Sequence, residues 1–158
     1  DRDNGVIAGL GEIAVLNNKR WKTLPPPTVQ DLKSIKIDQN GIIWVASTLG
    51  SVYKYDGLWQ KIHNSNNIRQ VEIFNNDVYV LGDDYIGVIK SDSIFKISIY
   101  KELNRVNSFT VLDENTFITA GNKGLIIKYL DNKWKHIQSS VKTNLNKIGM
   151  IYNNEKWC

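Results

Sequence analysis

The fold is decided by the stretch Ser34-Ile35-Lys36-Ile37-Asp38-Gln39-Asn40-Gly41-Ile42-Ile43-Trp44-Val45-Ala46, in which two short apolar runs flank a polar turn. A glycine turn and a further strand follow in Gly50-Ser51-Val52-Tyr53-Lys54-Tyr55-Asp56-Gly57. An aromatic run, Leu58-Trp59-Gln60-Lys61-Ile62, closes the unit. Asn, Asp and Gly tolerate positive φ in tight turns, so the pattern predicts four short antiparallel strands.

The same template returns in the second half of the chain. Residues 108–118 repeat the first two strands, and residues 124–137 repeat the glycine turn, the third strand and the aromatic fourth strand. A weaker copy lies between them in residues 71–97, and a partial copy leads the chain in residues 6–24. Internal repeats of this kind indicate an architecture in which each unit buries its apolar face against its neighbours.

Two aromatic markers set the period of the repeat. The aromatic residues of the fourth strands are spaced by 38, 36 and 39 residues: Trp21, Trp59, Phe95 and Trp134. Those of the second strands are spaced by 35, 38 and 40 residues: Trp44, Tyr79, Phe117 and Trp157. Repeated aromatics usually pack between neighbouring sheets, so we expect the second set to occupy one structural position.

Four antiparallel strands that recur about every 40 residues are typical of β-propeller blades. We therefore predict an all-β β-propeller with about four blade equivalents of four antiparallel strands each. The first strand of each blade should be innermost and the fourth outermost. The predicted boundaries are a partial first blade at 1–24, blades at 28–62, 68–98 and 106–137, and the start of a further blade at 145–158. A long β-sandwich is the alternative, although it requires neither equal spacing nor a recurring aromatic.

The phase of the repeat bears on how the ring closes. Asp3-Asn4-Gly5 matches the turn between a first and a second strand. Lys156-Trp157-Cys158 lies in a second strand whose partner is Ile148-Gly149-Met150-Ile151-Tyr152. We expect a fragment of a larger propeller, in which further blades or another chain complete the ring. The alternative is a four-bladed ring in which the strand at 148–152 closes against the opening strands.

The second unit resembles the two-component-regulator propeller repeat. It has the Asp-x-x-Gly turn in Asp38-Gln39-Asn40-Gly41, the strand with Trp44, a turn at Gly50 and a strand that ends in Tyr55-Asp56. That resemblance implies an extracytoplasmic sensor domain.

The fourth unit resembles the photosystem-assembly-factor (BNR-type) propeller repeat through residues 117–127 and Trp134. This second resemblance implies an assembly or binding factor. The third unit departs from both families, because Tyr79 and Phe95 stand in place of Trp. Residues 130–134 lack the Ser, Gly and Thr of the sialidase Asp-box, which argues against a glycosidase.

Composition narrows the range of partners. The net charge is +4, but lysines recur beside the fourth-strand aromatics, where they protect exposed sheet edges against aggregation. We therefore expect no nucleic-acid partner.

The longest apolar run, residues 42–46, is far shorter than the roughly 20 residues that span a bilayer. Cys158 is the one cysteine, so no disulfide joins two parts of this chain. Pro25-Pro26-Pro27 is interpreted as a stiff connector between blades.

No Cys/His cluster, phosphate loop or nucleophile motif occurs, so we expect no cofactor, no metal site and no catalytic residue. Candidate ligand-binding residues lie in the turns between second and third strands and in the loops between blades. They are Asp83, Asp84 and Tyr85, in a turn interpreted as extended over Gly82–Gly87, together with His63 of the loop 63–67 and Lys123. All are placed on one face, because loops on a rigid scaffold are where binding residues concentrate.

These observations favour a non-catalytic recognition or sensing module that binds a protein or a small ligand. We expect it to be part of a larger extracytoplasmic bacterial protein that is periplasmic, at the cell surface or secreted. One alternative is a carbohydrate-binding propeller that recognises glycans. Another is part of a propeller enzyme, a glycoside hydrolase or lyase, with its catalytic residues on missing blades.

Overall fold

The computed structural model describes residues 4–9, 11–63, 65–149, 152–153 and 156–157, which form four antiparallel sheets and a short hairpin. The first two sheets consist of β1 (Asn4–Ala8), β2 (Ile13–Asn17) and β3 (Arg20–Leu24), then β4 (Leu32–Ile37), β5 (Ile43–Ser47), β6 (Val52–Tyr55) and β7 (Trp59–Lys61). The next two consist of β8 (Gln70–Phe74), β9 (Asp77–Leu81), β10 (Tyr85–Lys90) and β11 (Ser93–Ile99), then β12 (Val106–Asp113), β13 (Thr116–Gly121), β14 (Ile126–Leu130) and β15 (Lys133–Ile137). The hairpin pairs β16 (Tyr152–Asn153) with β17 (Lys156–Trp157).

The strands of each sheet follow chain order, so every connection within a sheet is a simple hairpin. Successive sheets meet through their first strands: β4 contacts β8, and β8 contacts β12. This places the first strands innermost and the fourth strands outermost, as in propeller blades. The predicted all-β propeller is confirmed. The helices of the described part are two short 3₁₀ segments, Lys101–Arg105 and Asn122–Gly124, and no helix there is long and apolar enough to cross a bilayer.

Apolar side chains from both faces of each central sheet form separate cores between neighbouring blades. In β5, Ile43 and Val45 pack toward the first blade, whereas Trp44 and Ala46 pack toward the third. Successive residues of a strand point to opposite faces, so β5 needs apolar side chains at each of positions 43–46 to fill both cores. This explains the continuous apolar run 42–46, which β9 matches with four buried residues at 78–81.

The second-strand aromatics do not all occupy one position, which corrects the sequence interpretation. Trp44 and Tyr79 each face the following blade, but Phe117 faces the preceding blade, where its ring lies 5.8 Å from that of Tyr79. Phe117 pairs with Tyr129 in the ladder as Ile43 pairs with Tyr55. It is therefore offset from Trp44 by one residue, and an offset of one residue reverses the face of a strand.

Several hairpins use two-residue turns in which both residues have positive φ, the type I′ geometry that matches strand twist. These turns are Asn18–Lys19, Asn75–Asn76, Ser91–Asp92 and Asp131–Asn132. The β4–β5 turn is longer and is held by Asp38, whose Oδ1 accepts the N–H groups of Asn40 and Ile42. Its Oδ2 accepts the indole N–H of Trp44 at 3.2 Å, so this turn and the core aromatic fix each other.

A side chain at the start of each inner strand bonds to the main chain of the next inner strand. The amide of Gln70 donates to the carbonyl of Phe109 and accepts its N–H, both at 3.0 Å. Ser34 forms the same link to Val71 one blade earlier, and Ser108 accepts the N–H of Ile148 one blade later. The links join residues 37, 39 and 40 apart, which is the period of the repeat.

The outer strands are tied to the preceding blade by their aromatic residues. The indole of Trp59 donates to the carbonyl of Pro25 at 2.7 Å, and that of Trp134 donates to Ser98 Oγ at 2.9 Å. Pro25 begins the Pro-rich connector, which therefore lies against the outer edge of the second blade. Trp21 and Phe95 are both more than half exposed.

At both ends of the chain the strands differ from those predicted from the sequence. Asn4 and Gly5 belong to β1 rather than to a turn, and Ile148 and Gly149 lie in no strand, although a strand was predicted to begin at Ile148. The side chain of Trp157 is outside the description, as are four residues to which the sequence interpretation assigned positions: Asp3, Met150, Ile151 and Cys158.

Replacing Gln70 by Ala should lower the free energy of unfolding by about 2 kcal/mol. The substitution leaves the partly buried N–H and C=O of Phe109 without partners, and each unsatisfied group costs about 1–3 kcal/mol. Urea denaturation followed by far-ultraviolet circular dichroism measures the change.

Gln60→Ala is the matched control, because Gln60 makes one exposed side-chain bond, to Asp92 at 3.4 Å. Its effect should stay within about 0.5 kcal/mol. Equal losses for the two variants would contradict a stabilising role for the inner-strand link.

Candidate functional site

One end of the blades carries the turns between second and third strands and the connections between blades. In the second, third and fourth blades the connection donates a main-chain hydrogen bond to the turn beneath it. The N–H of Ile68 bonds to Gly50 O at 3.0 Å, and that of Leu145 bonds to Gly121 O at 2.9 Å. In the third blade the N–H of Tyr100 bonds to Asp84 O at 2.7 Å. This face, the channel mouth, is therefore built from loops with fixed positions.

Glycine permits the connections to approach the turns so closely. A Cβ on Gly50 would lie 2.4 Å from the main-chain nitrogen of Asn67, and Gly50 has a φ of +82°. A Cβ on Gly121 would lie 2.3 Å from the carbonyl oxygen of Arg105. Real Cβ atoms do not approach backbone atoms at such distances, so both positions require glycine.

A cavity of about 270 Å³ opens at the channel mouth between the second and third blades. We call it the mouth cavity. Its lining combines cationic, acidic, polar and apolar side chains: Lys33, Thr48, Leu49, Gly50, Asn67, Ile68, Arg69 and Asp83. Leu49 is 71% exposed at its rim, so the cavity offers an apolar contact beside its charges.

Arg69 is the fixed charge of the mouth cavity. Its Nη1 donates to Val106 O at 2.6 Å, and its Nη2 donates to Gly82 O and Leu103 O at 2.6 Å. These bonds join the third-blade turn to the connection that leads to the fourth blade. Its Nε lies 3.6 Å from Asp83 Oδ1 and is buried without a hydrogen-bond partner in the described part of the chain.

The burial of Arg69 and its closeness to Asp83 determine the pKa and the charge of its guanidinium group. Burial lowers the pKa of the guanidinium from its ordinary value, and the nearby Asp83 carboxylate opposes that shift. Arginine titrates so far above neutral pH that the group remains a cation. Asp83 is thus held beside a fixed positive charge, while more than half of its side chain remains exposed.

Of the sequence-predicted site residues, the structure brings Asp83 and Asp84 together at the channel mouth. Asp83 lines the cavity, and Asp84 uses its carbonyl to hold the connection above it. Lys123 lies at the same end on the fourth blade, where it is exposed and donates its main-chain N–H to Asn144 Oδ1 at 3.0 Å. It does not line the mouth cavity.

Tyr85 is part of the core, which corrects its predicted place in an extended turn. It begins β10, is 7% exposed and packs under Lys96, whose Nζ lies 4.4 Å from the ring centroid. Burial, with Asp84 and Asp83 as smaller causes, raises the pKa of Tyr85.

The turn before β10 has three residues, 82–84, and is shorter than the turns at 48–51 and 122–125. Gly87 had suggested a longer turn, but it lies within β10, where the β10–β11 register shifts. A Cβ on residue 87 would lie 2.9 Å from Phe95 O, so glycine at this position permits the close approach of β11 at the bulge. Length variation therefore does not mark the third-blade turn as a site.

His63 is remote from Asp83, contrary to the predicted grouping. Its N–H bonds to Asp92 O at 2.9 Å, in the turn that follows β10. Asp83 and Asp84 precede β10, and a six-residue strand is about 20 Å long. Among the described residues of the loop 63–67, Asn67 at its end lines the mouth cavity.

Three polar residues at the channel mouth were not selected from the sequence: Lys33, Arg69 and Asn107. Each directly precedes an inner-strand linking residue, namely Ser34, Gln70 or Ser108. They therefore hold equivalent positions in successive blades. Asn107 acts like Arg69, because its amide bonds to Asn122 Oδ1 at 2.9 Å and to Leu145 O at 3.1 Å. The sequence does contain a signal for these three residues, because a polar residue recurs near the start of each inner strand.

Comparison with solved structures agrees with the propeller fold. YCF48 from Cyanidioschyzon merolae has a TM-score of 0.70 at 15% identity, covering 94% of this chain and 61% of its own. The extracellular domain of a one-component system, BT4673 from B. thetaiotaomicron, has a TM-score of 0.70 at 15% identity, covering 97% and 24%. A structure of YCF48 bound to D1 peptide has a TM-score of 0.63 at 14% identity, covering 86% and 50%.

These structures include both propeller types that the repeats resemble, a photosystem assembly factor and a signalling-system extracellular domain. At such identities the likeness shows the fold. The chain spans between a quarter and about three fifths of the length of these chains. No protein-family model and no curated protein sequence matches the chain.

Gly50→Ala should destabilise the protein by about 2 kcal/mol more than Gly41→Ala. Both glycines have φ near +80°, so both variants carry the backbone strain of about 1–2 kcal/mol. Only Gly50 has a backbone neighbour in the path of the new Cβ, whereas the space around Gly41 is open. Overpacking adds about 1–3 kcal/mol.

Thermal or urea unfolding of the two variants measures this difference. A Gly50→Ala variant as stable as Gly41→Ala would show that the connection 62–69 does not lie on the turn as described.

Proposed function

We propose that this chain is a non-catalytic recognition or sensing module whose channel mouth binds a segment of a protein partner. The mouth cavity is the observation that carries the proposal. It sets an exposed ammonium group at Lys33, an Arg69–Asp83 pair and an exposed Leu49 around one opening. Side chains of these kinds bind a carboxylate, a hydrogen-bond donor and an apolar side chain respectively.

The size of the cavity favours part of a larger partner over a whole small molecule. Cavities that enclose small ligands usually measure about 300–1,000 Å³, and the mouth cavity measures about 270 Å³. A single side chain or a chain terminus fits such a volume, while the rest of the partner lies across the surrounding loops. Rigid loops favour this mode of binding, because little conformational entropy is lost on association.

Two of the similar structures support the proposal. One YCF48 structure is described as bound to D1 peptide, so a propeller of this type accommodates a peptide. The BT4673 domain is described as extracellular, which supports an extracytoplasmic location for a larger protein that contains this chain. We extend both features to this chain as part of the same proposal, with further blades or another chain completing the ring.

A peptide-binding selection tests the proposed function. A library of random 12-residue peptides displayed on phage is selected on the chain, and the enriched peptides are synthesised. Fluorescence anisotropy then measures their affinity for variants at the two ends of the blades. Lys33→Ala, Leu49→Ser and Asp83→Asn should each weaken binding about tenfold, because removal of a central contact costs about 1–2 kcal/mol.

Asn40→Ala and Asn76→Ala are the controls, since both residues lie in exposed turns at the opposite end of the blades. They should change affinity less than twofold. Weakening by these two variants alone would place the site at the wrong end. Binding on a glycan array, or hydrolysis of a glycoside panel, in the absence of any enriched peptide would favour the carbohydrate-binding or enzymatic alternatives.

A further inference from the structure

A second cavity, of about 200 Å³, opens at the opposite end of the blades between the third and fourth sheets. We call it the lower cavity. It lies beside the β12–β13 turn and is lined by three charged residues, a tyrosine, an asparagine and two aliphatic residues: Asp77, Lys90, Glu114, Tyr79, Asn115, Val88 and Ile97. It shares no lining residue with the mouth cavity.

Tyr79 at the wall of this cavity has a hydroxyl without a partner. The residue is 2% exposed and its ring packs against Phe117, yet its hydroxyl forms no hydrogen bond within the described chain. The equivalent residue in the second blade, Trp44, donates its N–H to Asp38. The third blade has the two-residue Asn75–Asn76 turn in place of the Asp38 turn, so that carboxylate is missing and the tyrosine faces the cavity instead.

Negative charge gathers around the Tyr79 hydroxyl. Burial raises its pKa, and the carboxylates of Asp77, Glu114 and Asp113 raise it further, so the hydroxyl is protonated at neutral pH. Asp77 precedes Tyr79 by two residues on β9 and shares its face, while Glu114 comes from the neighbouring blade. Neither Asp77 nor Glu114 forms an ion pair among the described residues.

The chemistry of the lining selects one class of ligand. A divalent cation such as Ca²⁺ needs six or more oxygen ligands, and no group of three His, Cys, Asp or Glu residues in the described chain is placed to hold a metal. A primary ammonium has three donors, which two carboxylates and a hydroxyl oxygen can satisfy. Val88 and Ile97 supply an apolar wall for an aliphatic stem.

We propose that the lower cavity binds a primary ammonium group on an aliphatic stem, with Asp77, Glu114 and the hydroxyl of Tyr79 as its acceptors. A lysine side chain of a partner and a free alkylamine both carry this group. Lys90 lies at the same cavity and opposes the binding of a second cation.

Solution NMR with small amines tests the proposal directly. The probes are Nα-acetyl-lysine-N-methylamide and n-butylammonium, with Nα-acetyl-norleucine-N-methylamide as the uncharged match. Both amines should shift the methyl resonances of Val88 and Ile97, and the norleucine compound should not. Tighter binding of the lysine compound assigns the site to a peptide side chain, whereas tighter binding of butylammonium assigns it to a free amine.

Substitutions identify the acceptors. Asp77→Asn and Glu114→Gln should each weaken amine binding about tenfold, because each variant replaces a charged acceptor of the ammonium group with a neutral one. Tyr79→Phe should weaken it about threefold while the ring continues to pack in the core. Lys90→Gln should strengthen it several-fold, since the variant removes a competing positive charge.

Asp131→Asn is the control, because it removes an exposed carboxylate from another turn at the same end of the fourth blade. It should leave the affinity within twofold. The proposal is overturned if neither amine shifts the cavity methyl groups or if the norleucine compound binds equally well. It is also overturned if CaCl₂ produces the same shifts and displaces the amines, or if the cavity variants behave like Asp131→Asn.

Discussion

The structure depends on how the exposed edge of each inner strand is satisfied. An inner strand pairs with the second strand of its own blade on one side, and its other edge would be left with free N–H and C=O groups. Gln70 supplies both partners for Phe109 of the next blade, as Ser34 does for Val71. Because one side chain per blade forms this link, the blades are locked in a common register as well as packed face to face.

These hydrogen bonds between inner strands explain why polar residues recur at the channel mouth. Lys33, Arg69 and Asn107 each precede a linking residue, so their main chain is held in place. The side chains of Arg69 and Asn107 also bond to the connections between blades. The two terminal nitrogens of Arg69 donate to the carbonyls of Val106, Gly82 and Leu103, whereas Asp83 and Lys33 are exposed and can contact a ligand. The scaffold therefore separates positioning groups from recognition groups. The two cavities lie at opposite ends of neighbouring interfaces: the mouth cavity between the second and third blades, and the lower cavity between the third and fourth.

Sequence reasoning predicted the blades, their strand order and the face of Asp83, because these follow from a period that apolar and turn residues repeat. It misplaced Tyr85 because Gly87 was interpreted as a turn residue, although the glycine serves a bulge inside β10. It aligned Phe117 with Trp44, since spacing alone does not reveal a one-residue offset in pairing. His63 was grouped with Asp83 because sequence gives no measure of which end of a strand a long connection reaches.

Site-resolved hydrogen exchange tests the central claim, that side-chain links pair the main-chain groups of Val71 and Phe109 at the inner edges. The amides of Val71 and Phe109 should exchange as slowly as ladder amides in β5, and much more slowly than amides at the free edge of β15. Gln70→Ala should accelerate Phe109 selectively and leave Val71 unchanged. Rapid exchange of both amides in the unmodified protein, at rates typical of an open edge, would contradict the account.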